Sequence, residues 1–175
     1  MTITVNLDFD KREIENIQEL ERTIYRTVLQ FGRKIMAKAL ESMDEQLLGS
    51  RDVKRFRCKG LQKTCIKTIM GPVEFERRVY VDNAAVEGPH CVHLLDEALE
   101  LDQIGLMTEN VCNLAATAAC ETSYRAAAKT ITETTGLSIT QQGVYNIVQQ
   151  MGESQKARIE RYAELAQQGL GVGLL

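Results

Sequence analysis

The stretch Cys65–Val81, CIKTIMGPVEFERRVYV, decides the fold class of this 175-residue chain. β-Branched and aromatic residues lie on both sides of Gly71-Pro72, and apolar and polar residues alternate along the second arm. A period of two is typical of strands, and Pro72 falls at the start of a strand, where a missing backbone N–H is tolerated. We predict an antiparallel hairpin here, with Lys54–Gly60 as a candidate third strand.

The sequence on both sides of this hairpin has the period of helices. Before it, apolar residues recur at steps of three and four from about Phe9 to Leu48, which predicts one long helix. After it, we predict a loop and then helices, which begin with a short one at about residues 92–102 and continue at about Glu109–Ala119, Thr122–Thr135 and Thr140–Gln168. The expected fold is α+β and mostly α: a long N-terminal helix, a small antiparallel β-hairpin or three-stranded sheet, and a helical region containing a helix-turn-helix.

The long N-terminal helix carries one apolar stripe, which consists of Ile17, Leu20, Ile24, Val28, Phe31 and Ile35. Leu40, Met43 and Leu47 continue the helix with a shifted stripe. We favour packing of this helix on its own domain over a coiled-coil seam between two chains, because the pattern covers fewer than four clean heptads. The seam stays open as the alternative.

Four segments follow from these patterns. Residues 1–50 form the leading helix, a candidate for oligomerisation, and residues 51–105 hold the hairpin and a loop. Residues 106–168 form the helical region, and residues 169–175 are expected to begin a linker.

Charge is distributed unevenly along the chain, although the net charge is only -3. Residues 51–80 contain nine Lys or Arg and three acidic residues, a balance of +6, whereas residues 81–110 contain seven acidic residues and no Lys or Arg. A polyanion responds to the local field and not to the net charge, so the acidic total does not argue against a nucleic-acid partner.

Neither a membrane span nor a signal peptide is predicted, because the chain has no run of eighteen apolar residues and its start lacks a basic segment followed by an apolar one. The five cysteines are odd in number and form no CxxC pair, which favours reduced thiols. A cytoplasmic location is expected.

The stretch Thr132–Gln150, TETTGLSITQQGVYNIVQQ, has the pattern of two helices joined by a turn. Gly136 supplies the positive-φ residue that ends the first helix, and either Ser138 or Thr140 can cap the second. The core face of the second helix is predicted to consist of Val144, Ile147, Val148 and Met151.

The opposite face of this second helix is rich in amides instead of charges. An Asn or Gln side chain offers a donor and an acceptor that can pair with N7 and N6 of adenine in the major groove, whereas Lys and Arg bind phosphates at any sequence. The helix is therefore a candidate recognition helix, with Arg125, Lys129, Lys156 and Arg158 nearby for phosphates. Glutamine is also a good helix former, and helices joined by a Gly turn occur in many proteins that never bind DNA, so the pattern alone leaves both interpretations open.

Three blocks of the sequence carry a family resemblance: TIMGPVEFERRVY, LLDEALELD and ETSYRAAAKTITETTGLSITQQGVYNIVQQMGE. In order and spacing they resemble the N-terminal portion of a family of insertion-sequence transposases of low-GC Gram-positive bacteria, which is also catalogued as uncharacterised proteins. The resemblance covers about Arg51 to Ala157.

The resemblance implies a DDE transposase, in which a DNA-binding region precedes a ribonuclease-H-like core that holds two divalent metals, such as Mg²⁺, on its carboxylates. That core is expected to begin after the end of this chain. The segment is therefore expected to bind double-stranded DNA at terminal inverted repeats, to need no cofactor of its own, to be inactive alone as an enzyme and to form a homo-oligomer.

Two sets of residues are the candidate DNA contacts. The residues predicted to read bases are Gln141, Gln142, Tyr145, Asn146 and Gln149. The residues predicted to hold phosphates are Arg55, Arg57, Lys59, Lys63, Lys67, Arg77, Arg78, Arg125 and Lys129. Two other functions stay open: a module that assembles transposase subunits without reading bases, and a free-standing DNA-binding repressor.

Two further groups of residues resemble sites of other kinds. Cys58, Cys65, His90, Cys91 and His93 offer zinc-binding atoms, but their spacing departs from that of known zinc motifs, so ordinary hairpin and loop residues are the favoured interpretation. A second group is acidic: Asp96, Glu97, Glu100 and Asp102. We interpret these as charges that complement a helix N-terminus or shield the basic hairpin, and not as catalytic residues.

Overall fold

The computed structural model describes residues 16–84, 90–101 and 106–167, with side chains up to residue 164. In chain order the elements are the helix α1 (Ile17–Ser50), the strands β1 (Phe56–Thr68), β2 (Gly71–Asp82) and β3 (His90–Val92), and the helices α2 (Leu94–Ala98), α3 (Glu109–Glu121), α4 (Tyr124–Thr135) and α5 (Gln141–Gln167). The predicted fold class, α+β and mostly α, is confirmed.

The elements belong to two compact units. The first comprises Met1–Thr108 with Thr135–Leu137 and so contains α1, the sheet and α2. The second comprises Glu109–Thr134 with Ser138–Leu175 and so contains α3, α5 and all but the last residue of α4. The expected linker at residues 169–175 lies outside the described residues.

Helix α1 begins where Asn16 caps it, because the Asn16 side chain accepts a hydrogen bond from the backbone N–H of Glu19 at 3.0 Å. The expected start at Phe9 lies outside the described residues. Near its middle α1 approaches the hairpin turn closely: a Cβ on Gly32 would lie 2.5 Å from Sδ of Met70. Arg33 fixes this approach by donating to the Met70 carbonyl at 3.1 Å.

The sheet has the order β1-β2-β3 and is antiparallel throughout. The two-residue turn Ile69-Met70 joins β1 to β2, and a register shift near Lys59 bends β1. The predicted hairpin is confirmed. The segment Lys54–Gly60 does not form a separate strand, because Phe56–Gly60 is the first part of β1.

The third strand comes from a segment predicted to be loop. His90 and Cys91 belong to β3, which pairs with Tyr80–Asp82 of β2. The loop prediction is therefore wrong for these two residues, and the helix prediction at about residues 92–102 is wrong for Val92, which also belongs to β3. A strand of three residues is too short for an alternation of apolar and polar residues to be recognised in the sequence. Only its backbone pairing with β2 identifies it as a strand.

The core of the first unit lies between the sheet, α1 and α2. It consists of Leu40, Ile66, Val73, Phe75, Leu95 and Leu101, with Met36, Ala37 and Leu47 packed against it. Helix α1 thus faces the core with the residues of its C-terminal half.

The apolar stripe of α1 lies on a different face. Ile17 is 74% exposed and Val28 is 60% exposed, and Ile24 and Ile35 are also exposed. The favoured prediction that the helix packs on its own domain is confirmed through Leu40 and Leu47 of the shifted stripe, whereas the four residues named above stay exposed. At about 100° per residue the stripe lies roughly 140° around the helix from Leu40, so α1 cannot direct both sets of residues at one core.

The second unit is built on three helices, as predicted. Its buried residues include Val111, Cys112 and Ala115 on α3, Ala127, Ala128 and Ile131 on α4, and Val144 and Ile147 on α5. Alanine and cysteine at these positions keep the side chains small, which permits close packing of the helices. Within the described residues no helix is long and apolar enough to cross a membrane.

Tyr80 gives the first testable prediction. It is fully buried, burial raises the pKa of its hydroxyl, and that hydroxyl has no hydrogen-bond partner among the described residues. Because an unsatisfied buried hydroxyl costs about 1–3 kcal/mol, we expect Tyr80→Phe to leave the free energy of unfolding unchanged or to raise it. Urea unfolding of the two proteins measures this, and a clear loss of stability in the variant would show that the hydroxyl has a partner.

Candidate nucleic-acid interface

The turn between α4 and α5 is defined by backbone geometry and one cap. Gly136 has φ +70°, a left-handed conformation that glycine adopts without strain, and it follows the last residue of α4. Of the two candidate caps, Thr140 is the one used: its Oγ1 accepts from the backbone N–H of Gly143 at 3.1 Å, and its carbonyl accepts from Val144 at 3.0 Å.

Gly143 is small because the turn packs against it. A Cβ at this position would lie 3.1 Å from Cγ1 of Ile139, closer than ordinary van der Waals contact. The turn residue Ile139 thus accounts for a glycine at this position of α5.

The orientation of α5 agrees with the sequence prediction. Val144 and Ile147 are buried, and Val148 and Met151 are half-buried. The residues predicted to read bases are all exposed, and we call them the amide face: Gln141, Gln142, Tyr145, Asn146 and Gln149. The core fixes one side of the helix and so directs the amide face to solvent.

Three side-chain contacts order the amide face. Gln142 donates through Nε2 to Oδ1 of Asn146 at 2.9 Å, one helical turn further on. Arg125 of α4 donates to Oε1 of Gln141 at 3.4 Å. The rings of Tyr124 and Tyr145 meet edge to face, with their centroids 5.6 Å apart.

The Gln142–Asn146 hydrogen bond uses one donor and one acceptor. It leaves the Asn146 amide N–H groups as donors and the Gln142 carbonyl as an acceptor. These free groups form the donor and acceptor pair that the N7 and N6 positions of adenine require. Chemically, the pair can therefore recognise an A·T base pair in a major groove.

Sequence reasoning missed the contact between Tyr124 and Tyr145. Tyr124 is the first residue of α4, and its ring restricts the position of an exposed tyrosine on α5. An aromatic residue at the start of the first helix of a helix-turn-helix is the signal that was available in the sequence.

The predicted phosphate contacts of the second unit are exposed. Arg125 and Lys129 both lie on α4, and Lys129 is 3.8 Å from a carboxylate oxygen of Glu133, one turn along the helix. An exposed pair of this kind is worth only about 0.3–0.5 kcal/mol, so Lys129 can exchange its partner at little cost.

The predicted phosphate contacts of the hairpin fall into two groups. Three arginines have carboxylate partners within the fold: Arg55 with Asp82, Arg77 with Asp96, and Arg78 with Asp44 and Glu45. The remaining cations of this set, which make no ion pair within the described part of the chain, are Arg57, Lys59, Lys63 and Lys67.

Arg77 is placed where no phosphate can reach it. Its side chain is 8% exposed and that of its partner Asp96 is 1% exposed, so the pair is buried. We therefore remove Arg77 from the candidate DNA contacts. Alternation along β2 predicts this placement, since Arg77 shares the inward face with Val73 and Phe75.

Arg78 is held by α1. Asp44 is buried, accepts from the backbone N–H of Arg78 at 3.1 Å and pairs with its guanidinium at 2.7 Å. The pKa of Arg78 is raised: burial acts to lower it, but the hydrogen bonds to Glu45 and Asp44 outweigh burial. Arg78 thus joins β2 to α1 and is no longer a free cation for DNA.

The pairing of Arg55 with Asp82 is bidentate: Nε donates to Oδ1 at 3.1 Å, and Nη2 donates to Oδ2 at 2.8 Å. This hydrogen bonding is the main reason that the pKa of Asp82 is lowered from its usual 3.8. The pair therefore stabilises the fold fully at pH values above 3.8, the pKa of Asp82 in the unfolded chain. This stabilisation is lost as the pH falls below 3.8 and through the lower pKa that Asp82 has in the folded protein.

Asp82→Asn tests that pair. We expect the variant to be less stable than the wild type near pH 7 and the difference to shrink towards pH 3, because the unfolded wild type then binds a proton that the folded protein, with its lowered pKa, binds less readily. Urea unfolding at the two pH values measures this. A difference of equal size at both would mean that the charge on Asp82 contributes nothing.

The alternative sites have weak support in the geometry. Cys58 and Cys65 are seven positions apart on β1, roughly 20 Å in an extended strand, and so cannot bind one zinc ion together. Across the ranges 16–84, 90–101 and 106–167, no group of three His, Cys, Asp or Glu residues lies close enough to hold a metal. Of the acidic group, Asp96 is the buried partner of Arg77, and Asp102 lies outside the described residues.

Comparison with known proteins gives one match. No curated protein and no solved structure matches the chain. The model of an uncharacterised protein family, UPF0236, matches residues 11–170, which is most of the chain's length. The chain therefore belongs to the uncharacterised protein family UPF0236.

Proposed function

We propose that this chain binds double-stranded DNA and reads its sequence through the amide face of α5. The observation that carries the proposal is the hydrogen bond between Gln142 and Asn146. Both side chains are exposed to solvent, on a helix whose opposite side is buried. A surface helix that only needs solubility is served by Lys and Glu, whereas paired amides offer the donor and acceptor pattern of a base edge.

Phosphate contacts from the same unit support the proposal. Arg125 lies beside the amide face through its hydrogen bond to Gln141, and Lys129 is exposed one turn further along α4. Side chains next to a recognition helix commonly hold the backbone and set the register of the base contacts.

The biological setting that we propose is transposition. The three sequence blocks that resemble the N-terminal portion of insertion-sequence transposases support this setting, and terminal inverted repeats are then the expected target. We assign no catalytic step to this chain. A free-standing repressor would use the same amide face, and a target site outside any terminal repeat would favour it.

The hairpin has a smaller part in this proposal than its sequence suggests. Arg55, Arg77 and Arg78 each pair with a carboxylate, which reduces the positive electrostatic potential around the hairpin. The cations left for a DNA backbone are Arg57, Lys59, Lys63 and Lys67.

Selection from a pool of random duplexes tests the proposal without knowledge of the target. The purified chain is incubated with the pool, bound duplexes are amplified over several rounds, and the enriched sequence is compared with a scrambled one by fluorescence anisotropy. We expect a shared motif containing an A·T pair, and affinity that falls as salt rises with a log-log slope of about -0.9 per phosphate contact. Salt-sensitive binding without a motif would refute base reading, and no binding would refute the DNA function altogether.

A further inference from the structure

Tyr145 is the one aromatic member of the amide face, and the amide pair does not explain why a large ring lies there. Its side chain is exposed, whereas the neighbouring residues Val144 and Ile147 of α5 are buried. Exposure alone assigns no function to it, since single apolar groups are common on protein surfaces. The contacts of Tyr145 with α4 supply the further observation.

The first turn of α4 borders the amide face at two points. The ring of Tyr124 meets the ring of Tyr145 edge to face, and the next residue, Arg125, donates a hydrogen bond to Gln141. Gln141 and Tyr145 are four positions apart, so they lie on the same side of α5, one turn from each other. Two consecutive residues of α4 thus contact two consecutive turns of α5.

The start of α4 is itself fixed. The hydroxyl of Ser123 accepts from the backbone N–H of Ala126 at 3.3 Å, and its carbonyl accepts from that of Ala127 at 2.9 Å. Ala127 is fully buried, so the first turn of α4 is held by the core as well as by its cap. A tyrosine side chain has only two torsions, and a contact with a fixed ring therefore restricts the direction of Tyr145.

We propose that the ring of Tyr145 contacts the C5-methyl group of a thymine and that Tyr124 is a positioning residue for this contact. The inference rests on the proposed function of the amide face. Base pairs present donors and acceptors in the major groove, and the methyl group of thymine is the apolar group among them. Tyr145 supplies the apolar surface that matches it.

The position of Tyr145 places this thymine close to the adenine that the amide pair is proposed to read. Asn146 is the next residue, and one residue advances a helix by about 1.5 Å, less than one base-pair step of about 3.4 Å. The thymine is therefore the partner of that adenine or belongs to a neighbouring base pair. The expected target combines an adenine contact and a thymine contact within adjacent steps.

Deoxyuridine tests the contact, because it lacks only the C5-methyl group of thymine. Each thymine of the duplex selected from the random pool is replaced in turn, and binding of the full chain is measured by fluorescence anisotropy. We expect one thymine at which the replacement weakens wild-type binding about 3- to 5-fold, as the loss of one buried methyl group predicts. Tyr145→Ala should abolish this effect, whereas Tyr145→Phe should retain it because the ring is kept.

The positioning role of Tyr124 is tested at the same thymine. Tyr124→Ala and Tyr124→Gln should each reduce the effect of deoxyuridine to less than about 2-fold, although Tyr145 is still present. Tyr124→Phe should preserve the wild-type effect, since the contact between the rings needs no hydroxyl. The matched control is Tyr162→Ala: Tyr162 is also an exposed tyrosine of α5, about 25 Å further along the helix, and its variant should behave as the wild type.

Circular dichroism should show the same helix content in all these proteins, because both rings of the pair are partly exposed. An effect of deoxyuridine that is equally large in the wild type, Tyr124→Ala and Tyr124→Gln would overturn the positioning role. A selected duplex that tolerates deoxyuridine at every thymine would overturn the methyl contact and leave adenine reading by the amide pair intact. A selection that yields no shared motif would refute the proposed function, and this inference with it.

Discussion

Asp96→Ala should destabilise the first unit by about 3–5 kcal/mol, because it leaves the Arg77 guanidinium charged, buried and without its carboxylate. The loss arises from the buried charge and not from the missing volume of a short side chain. Native-state hydrogen exchange of the β2 amides measures the effect in this unit alone.

Two companion variants separate this explanation from a general weakening of α2. Glu97→Ala changes the next residue, which is exposed, and should stay within about 0.5 kcal/mol of the wild type. Replacing both partners, Arg77→Met with Asp96→Leu, should recover most of the loss, since two apolar side chains leave no buried charge. An Asp96→Ala protein that loses less than about 1 kcal/mol would show that Arg77 reaches solvent.

Replacing both members of the amide pair, Gln142→Ala with Asn146→Ala, should abolish the preference for the selected duplex over a scrambled one. A good bidentate contact is worth about 1–3 kcal/mol of discrimination, which corresponds to roughly 5- to 150-fold in affinity. Binding to the scrambled duplex should change little, because the cations that contact phosphates are retained.

The matched control for this variant is Asn113→Ala with Gln155→Ala. It removes one Asn and one Gln that are also exposed in the second unit, on α3 and further along α5. Its preference for the selected duplex should equal that of the wild type. Equal losses in both double variants would indicate that the change acts on helix stability and not on base reading.

The sequence predicted the elements of the fold well because the decisive patterns are local. Alternation after Gly71 gives β2, and the steps of three and four before Gly136 and after Thr140 give α4 and α5. The exposed amide face follows from the same periodicity, since Val144 and Ile147 identify the buried side of α5.

The sequence predictions that the structure corrects concern contacts between residues distant in the chain. The sequence of α1 carries two apolar stripes, and only the contacts with the sheet decide that the one with Leu40 and Leu47 packs into the core while Ile17 and Val28 stay exposed. Periodicity identifies an apolar face but not its partner.

The charge balance of the hairpin also depends on contacts that the local sequence does not show. The hairpin has an excess of +6 along the chain, but Asp44, Asp82 and Asp96 come from other segments or from the end of β2 and pair with three of its arginines. Charge counted over a window of sequence therefore overestimates the field that a DNA backbone would meet.

A nucleobase analogue tests most directly whether the amide pair of α5 recognises an adenine. Each adenine of the selected duplex is replaced in turn by 7-deazaadenine, which lacks the N7 acceptor, and binding is measured for the wild type and for the Gln142→Ala, Asn146→Ala protein. We expect one adenine at which the replacement weakens wild-type binding about 10-fold and leaves the variant unaffected, as a shared contact requires. Equal losses in both proteins at every adenine would contradict base reading by Gln142 and Asn146.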